Sequence, residues 1–340
     1  MAKRHWPRRR FVVVAAACRS PEEAQSESRS VTVYVSTDRV FSEPVLQEYE
    51  RRSGVRVNVA YDTEETKSTG LANRLLAETN RPQADVFWSN EPVRTLVLKS
   101  RGVLAPYRSP GAEGIPAALV DPDGYWTGFS ARIRVIAYNT TLVSPAEAPQ
   151  SVFDLADPKW KGQVAMADPR FGSTSFHVAA LYTEAGDARM DDFFRRLKAN
   201  DVRIVDSNSA VRDLVVRGEV KVGLTDTDDV NVALESGQPV AMALPDKDGL
   251  GVPVMPNMVS LIADAPHPDE GRKLIDYLLS PDVERQLAES EAVQIPLHAG
   301  VPGPKNIPPI ASFTPMTLDY SKAAARVEEV TARLATILGL

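Results

Sequence analysis

The sequence predicts an α/β protein with two lobes, each built on a mostly parallel sheet that is flanked by helices. Apolar segments of strand length alternate with helical segments in two series, residues 31–102 and 163–231, which is the pattern of βαβ units. Between them, GFSARIRVIAYN (residues 128–139) is long enough to cross from one sheet to the other. The 340 residues, 43% of them hydrophobic, can bury two cores of ordinary size.

The first series predicts three strands and three helices. The first helix is predicted to run from Ser42, a suitable N-cap, to Arg52, with Pro44 tolerated in its first turn and Gly54 ending it. The remaining helices are predicted at residues 68–78 and 92–102, and the strands at residues 31–36, 55–61 and 84–89.

The second series and the chain that follows it continue this alternation. Strands are predicted at residues 163–168, 202–207, 220–226, 240–246 and 258–264. Helices are predicted at residues 174–185, 189–199, 208–217, 230–234, 268–279, 281–289 and 316–337.

These elements predict how the chain divides. We expect residues 31–130 and 254–310 to form the first lobe and residues 131–253 the second. The chain would then cross between the lobes on hinge strands. Residues 311–340 are predicted to hold a C-terminal helix packed on the second lobe.

The N-terminus is typical of an exported protein. Basic residues from Lys3 to Arg10 precede a short apolar stretch, Phe11 to Ala17, so that residues 1–17 are predicted to be a signal peptide. Cys18, the only cysteine, follows three alanines as in a bacterial lipobox, and we expect it to carry a lipid anchor. The alternative is an incidental thiol. Residues 18–30 are polar and are predicted to be a flexible tether.

The charge of the chain excludes some classes of partner. The formal net charge is −6, and loss of the leader with its five basic residues would leave −11. An acidic protein is poorly suited to nucleic acid or to an anionic membrane surface. We therefore expect contact with the membrane only through the lipid, and a cationic or metal ligand.

Polar residues follow the predicted strands at six places. The richest is VKVGLTDTDDVN (residues 220–231), where an apolar strand ends in Asp226, Asp228 and Asp229. Ligands of open α/β sheets bind beyond such strand ends, and crowded carboxylates repel unless a cation or a proton lies between them. The other clusters lie at residues 36–38, 62–66, 89–91, 168–175 and 206–209, and we expect all six to line one cleft.

Each candidate residue has a structural alternative. One aspartate of the cluster, Asp228 foremost, can instead cap the next helix, and Asp38 and Glu91 can be solvated loop residues. Ser173 and Thr174 precede a helix and can either bind an anion or cap that helix. Arg132 and Arg134 lie two apart on a strand and point the same way. Either arginine can hold an anion or pair with the acids.

An enzymatic interpretation has one motif in its favour. Asp226-Thr227-Asp228-Asp229-Val230 matches the D-x-D-x-[TV] pattern of magnesium-dependent phosphatases, in which the first aspartate is the nucleophile. Those enzymes carry the motif on their first strand, whereas here it comes two thirds of the way along. None of the four histidines has the spacing of a metal pair. We therefore expect no enzyme and no catalytic cofactor.

The chain resembles the substrate-binding proteins of bacterial ABC importers, and among them the ferric-iron-binding group with the type II periplasmic binding fold. The resemblance runs from residue 31 to residue 340 through VTVYVSTDRVFSEPVLQEYERRSGVRV, PQADVFWSNEP, GVLAPY, SARIRVIAYN, DPKWKGQVAMADP, NSAVRDLVVRGEVKVGL and HPDEGRKLIDYLLSPDVERQLAES. It implies closure of two lobes over a ligand and delivery of that ligand to a membrane permease. We expect the binding protein to be a monomer.

The resemblance also implies where the ligand binds. The adjacent tyrosines that hold iron in this group fall on Asp228 and Asp229, the histidine after the first strand falls on Asp38, and the glutamate after the third strand falls on Asn90, next to Glu91. The remaining oxygen ligands suit hard cations such as Fe³⁺. The expected metal ligands are Asp38, Glu91, Asp228 and Asp229.

The wider set of expected ligand-binding residues adds an anion site. It comprises Asp38, Asn90, Glu91, Arg132, Ser173, Thr174, Asp226, Asp228 and Asp229. Arg132 and the helix that begins near Ser173 would hold an anion beside the metal. The alternative ligand is a small organic cation or zwitterion, such as an aminophosphonate, whose amine would face the acids.

Overall fold

A computed structural model describes residues 29–62 and 69–340 of the chain. The predicted signal peptide, Cys18 and nearly all of the predicted tether lie outside these residues, as does most of the polar cluster at 62–66.

Ten strands and ten α-helices make up the described chain. The strands are β1 (Ser30–Val35), β2 (Arg56–Tyr61), β3 (Val86–Ser89), β4 (Leu104–Ala105), β5 (Thr127–Asn139), β6 (Val164–Ala167), β7 (Arg203–Val205), β8 (Val222–Asp226), β9 (Val240–Ala243) and β10 (Val254–Ile262). The helices are α1 (Arg39–Ser53), α2 (Thr69–Ala77), α3 (Pro92–Ser100), α4 (Gly172–Ala185), α5 (Asp187–Ala199), α6 (Asn208–Val216), α7 (Thr227–Glu235), α8 (Pro268–Leu278), α9 (Pro281–Glu289) and α10 (Tyr320–Leu338).

The strands form two sheets that share β5. The order is β2-β1-β3-β10-β5-β8-β6-β7, with β4 beside β10 and β9 beside β5. Pairs among β1–β3 and among β6–β8 are parallel, whereas every pair that includes β5 or β10 is antiparallel. The N-terminal part of β5 pairs with β10 in the first sheet and its C-terminal part, from Arg134 onward, pairs with β8 in the second. The predicted two-lobed α/β fold is confirmed, with β5 as the crossing strand.

Several predicted boundaries are wrong, among them the starts of α1 and β10. Helix α1 begins at Arg39 with Asp38 at its N-cap, rather than at Ser42, whose hydroxyl donates to the Asp38 carbonyl at 3.0 Å. Strand β10 begins at Val254, four residues before the predicted start. This part of the strand was not predicted because it contains Pro256, and proline rarely lies in a central strand. In the structure, the proline is accommodated at an irregularity in register between Pro256 and Asn257.

Helix α10 packs against α4 and α5 of the second lobe and against α3 of the first. Ion pairs fix it to α5: Arg326 contacts Asp187 at 2.7 Å, and Arg333 contacts Asp191 at 2.7 Å. Among the described residues, no helix is both long enough and apolar enough to cross a membrane.

Candidate functional site

The aspartates after β8 lie together at the start of α7. Asp226 is the last residue of the strand, and Asp228 and Asp229 lie in the first turn of the helix. One carboxylate oxygen of each lies within 4.8 Å of the others. The direct change from a buried strand to a helix places three acids at the carboxyl end of β8, where a bound cation would relieve their repulsion.

Asp226 is neutralised from within the protein. Its Oδ1 accepts from Nη1 of Arg134 at 2.7 Å, and its Oδ2 accepts from Ser173 Oγ at 2.7 Å and Asn208 Nδ2 at 2.9 Å. Both members of the ion pair are buried. Burial alone would raise the pKa of Asp226, but the positive charges of Arg134 and Arg132 hold that pKa below its ordinary value. Asp226 therefore has little capacity left for a ligand.

Arg134 joins four elements of the second lobe. From β5 it donates to Ser173 and Thr174 at the start of α4, to Asn208 at the start of α6, and to Asp226 on β8, over 2.7–3.4 Å. The hydroxyls of Ser173 and Thr174 are thus engaged inside the protein. The network holds the helix starts and the strand end that surround the aspartates in one arrangement.

Asp228 and Asp229 are left facing the cleft. Asp228 Oδ1 is buried without a hydrogen-bond partner among the described residues, and its Oδ2 lies 3.5 Å from Nη1 of Arg132. Asp229 Oδ2 accepts from Thr225 Oγ1 at 3.3 Å. Burial, together with the charges of the neighbouring aspartates, raises the pKa of Asp229 to about 8, and burial likewise raises the pKa of Asp228. This pair therefore favours either protons or a bound cation at neutral pH.

We predict that Asp229→Asn makes the metal-free protein less sensitive to pH. The folded pKa of Asp229 lies above the ordinary value near 4, so the folded state retains a proton that the unfolded state has lost, and stability falls as the pH rises from about 4 to about 8. Removing this group should reduce the fall between pH 5 and pH 8 by on the order of 2–4 kcal/mol. Urea unfolding at several pH values, with a chelator present, measures it.

The exposed aspartate of α5 provides a matched control for that experiment. Asp192 has a side chain that is 69% exposed, so Asp192→Asn should leave the pH profile as in the wild type. An Asp229→Asn profile that also matches the wild type would contradict the assignment of the proton to Asp229.

Arg132 links the aspartates to the first lobe. Its Nη2 donates to the carbonyl of Asn90 at 2.9 Å, while its Nη1 faces Asp228. The Asn90 side chain in turn accepts from Ser36 Oγ at 3.3 Å. The polar clusters after β1 and β3 therefore join the cluster after β8 through one arginine on the crossing strand. Arg132 is 16% exposed in its side chain, whereas Arg134 is fully buried, so only Arg132 can reach a ligand.

The two remaining candidates of the first lobe differ in their surroundings. Glu91 is buried and caps α3, accepting from the N–H groups of Val93 at 2.6 Å and Arg94 at 3.0 Å. Its burial raises its pKa. It is therefore not a solvated loop residue, and both of its oxygens have partners. Asp38 is partly exposed at the N-cap of α1.

Three participants in these networks were not among the expected ligand-binding residues. Asn208 and His177 contact the Arg134–Asp226 pair. Asn257, at the irregularity in β10, accepts from Thr37 Oγ1 at 3.2 Å and donates to the carbonyl of Ser130 at 3.2 Å. Asn208 lies in one of the six predicted polar clusters, but no local pattern marks Asn257, whose partners are distant in the chain.

A family comparison identifies the class of protein. The family described as bacterial extracellular solute-binding proteins matches residues 82–324, which is more than half of the chain, and this protein belongs to that family. It is accordingly an extracytoplasmic binding protein and not an enzyme.

Individual relatives and one solved structure are similar to the chain over most of its length. The chain is 27% identical over 310 residues to iron uptake protein A1 of Synechocystis, covering 88% of this chain and 84% of that protein. It is 26% identical over 314 residues to the major ferric iron-binding protein of Neisseria meningitidis serogroup B, covering 89% and 91%. The solved Trichodesmium protein in complex with iron and citrate superposes with a TM-score of 0.82 at 24% identity, covering 91% and 99%.

Proposed function

We propose that this protein is the solute receptor of an ABC importer and that it binds a hard metal ion, iron foremost, between its lobes. The observation that carries the proposal is the pair of carboxylates of Asp228 and Asp229, just beyond the carboxyl end of β8. Both residues are partly buried, and Oδ1 of Asp228 has no hydrogen-bond partner among the described residues. Carboxylate oxygens are the ligands that hard cations prefer. The names of the relatives, an iron uptake protein and a ferric iron-binding protein, support iron.

The other cleft residues complete the proposed site. Asp228 and Asp229 provide the metal ligands on the second lobe. Asp38 and Asn90 face the cation from the first lobe. Glu91 is not a ligand in this proposal because it caps α3. Asp226, Ser173 and Thr174 are not ligands either, because they are hydrogen-bonded to Arg134. Arg132 faces an anion bound with the metal.

The experiment is a calorimetric titration of metal-free protein with ferric citrate, Mn²⁺, Ca²⁺ and Mg²⁺. The proposal predicts saturable binding of at least one of these at one site per chain. Binding of none of them, together with binding of an organic ammonium compound, would overturn the metal and favour the second candidate ligand.

That second candidate is a small organic zwitterion, such as an aminophosphonate. It is favoured by Arg132, which brings a positive charge to within 3.5 Å of Asp228 in the same cleft. An ammonium group would then face Asp228 and Asp229, and the anionic group would face Arg132. Titration with 2-aminoethylphosphonate distinguishes this ligand from a metal.

The receptor role implies two further contacts. We propose that a membrane permease accepts the ligand from a monomeric receptor and that a lipid on Cys18 retains the receptor at the membrane. We predict that mass spectrometry of the protein extracted from membranes finds Cys18 as a diacylglyceryl-modified N-terminus. Cys18→Ser should release the protein in soluble form. An unmodified Cys18 within a longer chain would contradict the anchor.

A further inference from the structure

Tyr320, the first residue of α10, binds the backbone of β10 beside the crossing strand β5. Its hydroxyl donates to the carbonyl of Val254 at 3.1 Å, and the whole residue is buried. Val254 is the first residue of β10 and pairs with Ile133 on β5. The next residue of β5, Arg134, already pairs with Asp226 in the second sheet. The Tyr320 hydroxyl therefore binds at the point where β5 passes from one sheet to the other.

The ring of Tyr320 contacts both lobes at this point. It stacks on Phe176 of α4 with ring centroids 5.7 Å apart and planes at 12°. It also meets the edge of Trp126, just before β5, at 6.1 Å and 61°. Phe176 lies in α4 of the second lobe, in the helix whose first turn holds Ser173, whereas Trp126 precedes β5 in the first lobe. A change in the angle between the lobes must alter at least one of these contacts.

Helix α10 is anchored mainly on one side of this point. Arg326 and Arg333 pair with Asp187 and Asp191 on α5 of the second lobe. The same helix packs against α3, which follows Asn90 and Glu91 in the first lobe. Tyr320 is thus held by the second lobe while it contacts β10 and Trp126 of the first lobe.

We propose that Tyr320 is a positioning residue at the hinge, which sets the equilibrium between the arrangements of the two lobes and thereby the affinity for ligand. A binding protein whose competent arrangement is only partly populated shows an affinity reduced by that fraction. A contact at the hinge that differs between the arrangements changes this fraction without touching the ligand. The effect on affinity rests on the proposed function, whereas the effect on lobe arrangement does not.

The test compares Tyr320→Phe with Tyr182→Phe by small-angle X-ray scattering of metal-free protein. Tyr182 is also buried and also stacks on a phenylalanine, Phe194, but its hydroxyl donates to Asp191 within the second lobe. We expect Tyr320→Phe to change the scattering profile and Tyr182→Phe to reproduce that of the wild type. Phe176→Leu, which removes the stacking but keeps the hydroxyl, should change the profile as well.

Titration with ferric citrate supplies the second readout. The affinity of Tyr320→Phe for ferric citrate should change about three- to tenfold, which is the effect of one buried hydrogen bond. The direction of the change should follow the scattering: if the metal-free variant is more compact than the wild type, it should bind more tightly. Wild-type scattering and wild-type affinity in folded Tyr320→Phe would overturn the proposal. If even the wild type fails to bind ferric citrate, the scattering alone decides the role of Tyr320.

Discussion

Arg134→Met is expected to lower the free energy of unfolding by about 3–5 kcal/mol, because it leaves the carboxylate of Asp226 buried without its counter-ion. The pair is 2.7 Å apart, with side chains that are 0% and 2% exposed. Ser173 and Asn208 would still donate to Asp226, but neither supplies a positive charge. Urea unfolding at pH 7 measures the loss.

Two variants show whether the loss comes from the uncompensated charge. In Arg134→Met/Asp226→Asn both charges are absent, so much of the stability should return. Arg170 pairs with Asp168 at 2.6 Å, but its side chain is 40% exposed, and Arg170→Met should cost no more than about 1 kcal/mol. Equal losses in Arg134→Met and Arg170→Met would contradict a buried, stabilising network.

Asp228→Asn/Asp229→Asn is expected to weaken metal binding by at least about a hundredfold. Asparagine keeps the shape of each side chain at the start of α7 but removes two negative charges, and a hundredfold corresponds to about 2.8 kcal/mol. The same change should not destabilise the metal-free protein, because both carboxylates lie where burial raises their pKa. Calorimetric titration with the metal that binds the wild type measures the affinity.

Asp226→Asn separates the ligand-binding acids from the structural one. Because Asp226 is engaged by Arg134, Ser173 and Asn208, its substitution should reduce stability and change metal affinity far less than the double substitution. Asp192→Asn on α5 is the control for loss of an exposed acid. If Asp226→Asn abolished binding and Asp228→Asn/Asp229→Asn did not, the assignment of roles would be reversed.

The fold was predictable because the alternation of apolar strands and helices is a local pattern. Strand β5 was recognisable from its length, and Gly54, predicted to end α1, does so with a positive φ of 67°. The start of β10 was missed because Pro256 reads as a strand breaker, and only its place at an irregularity in register makes it acceptable.

The location of the aspartates was predictable, but their division of labour was not. Asp226, Asp228 and Asp229 lie in four consecutive positions, and their proximity follows from the chain. Arg134 lies 92 residues before Asp226 in sequence, and only the folded sheet brings the two together. Likewise, Arg132 and Arg134 were predicted to lie on the same face of one strand, so the sequence alone does not distinguish their roles. Burial by α4 and α6 distinguishes the structural arginine from the one that borders the cleft.

The most direct test of the cation site is anomalous X-ray diffraction from crystals of the protein grown with ferric citrate. The proposal predicts one iron peak per chain, within about 2.5 Å of carboxylate oxygens of both Asp228 and Asp229, and no peak in crystals of Asp228→Asn/Asp229→Asn. An iron bound away from this pair, or an organic molecule in its place with its amine on the two aspartates, would contradict it.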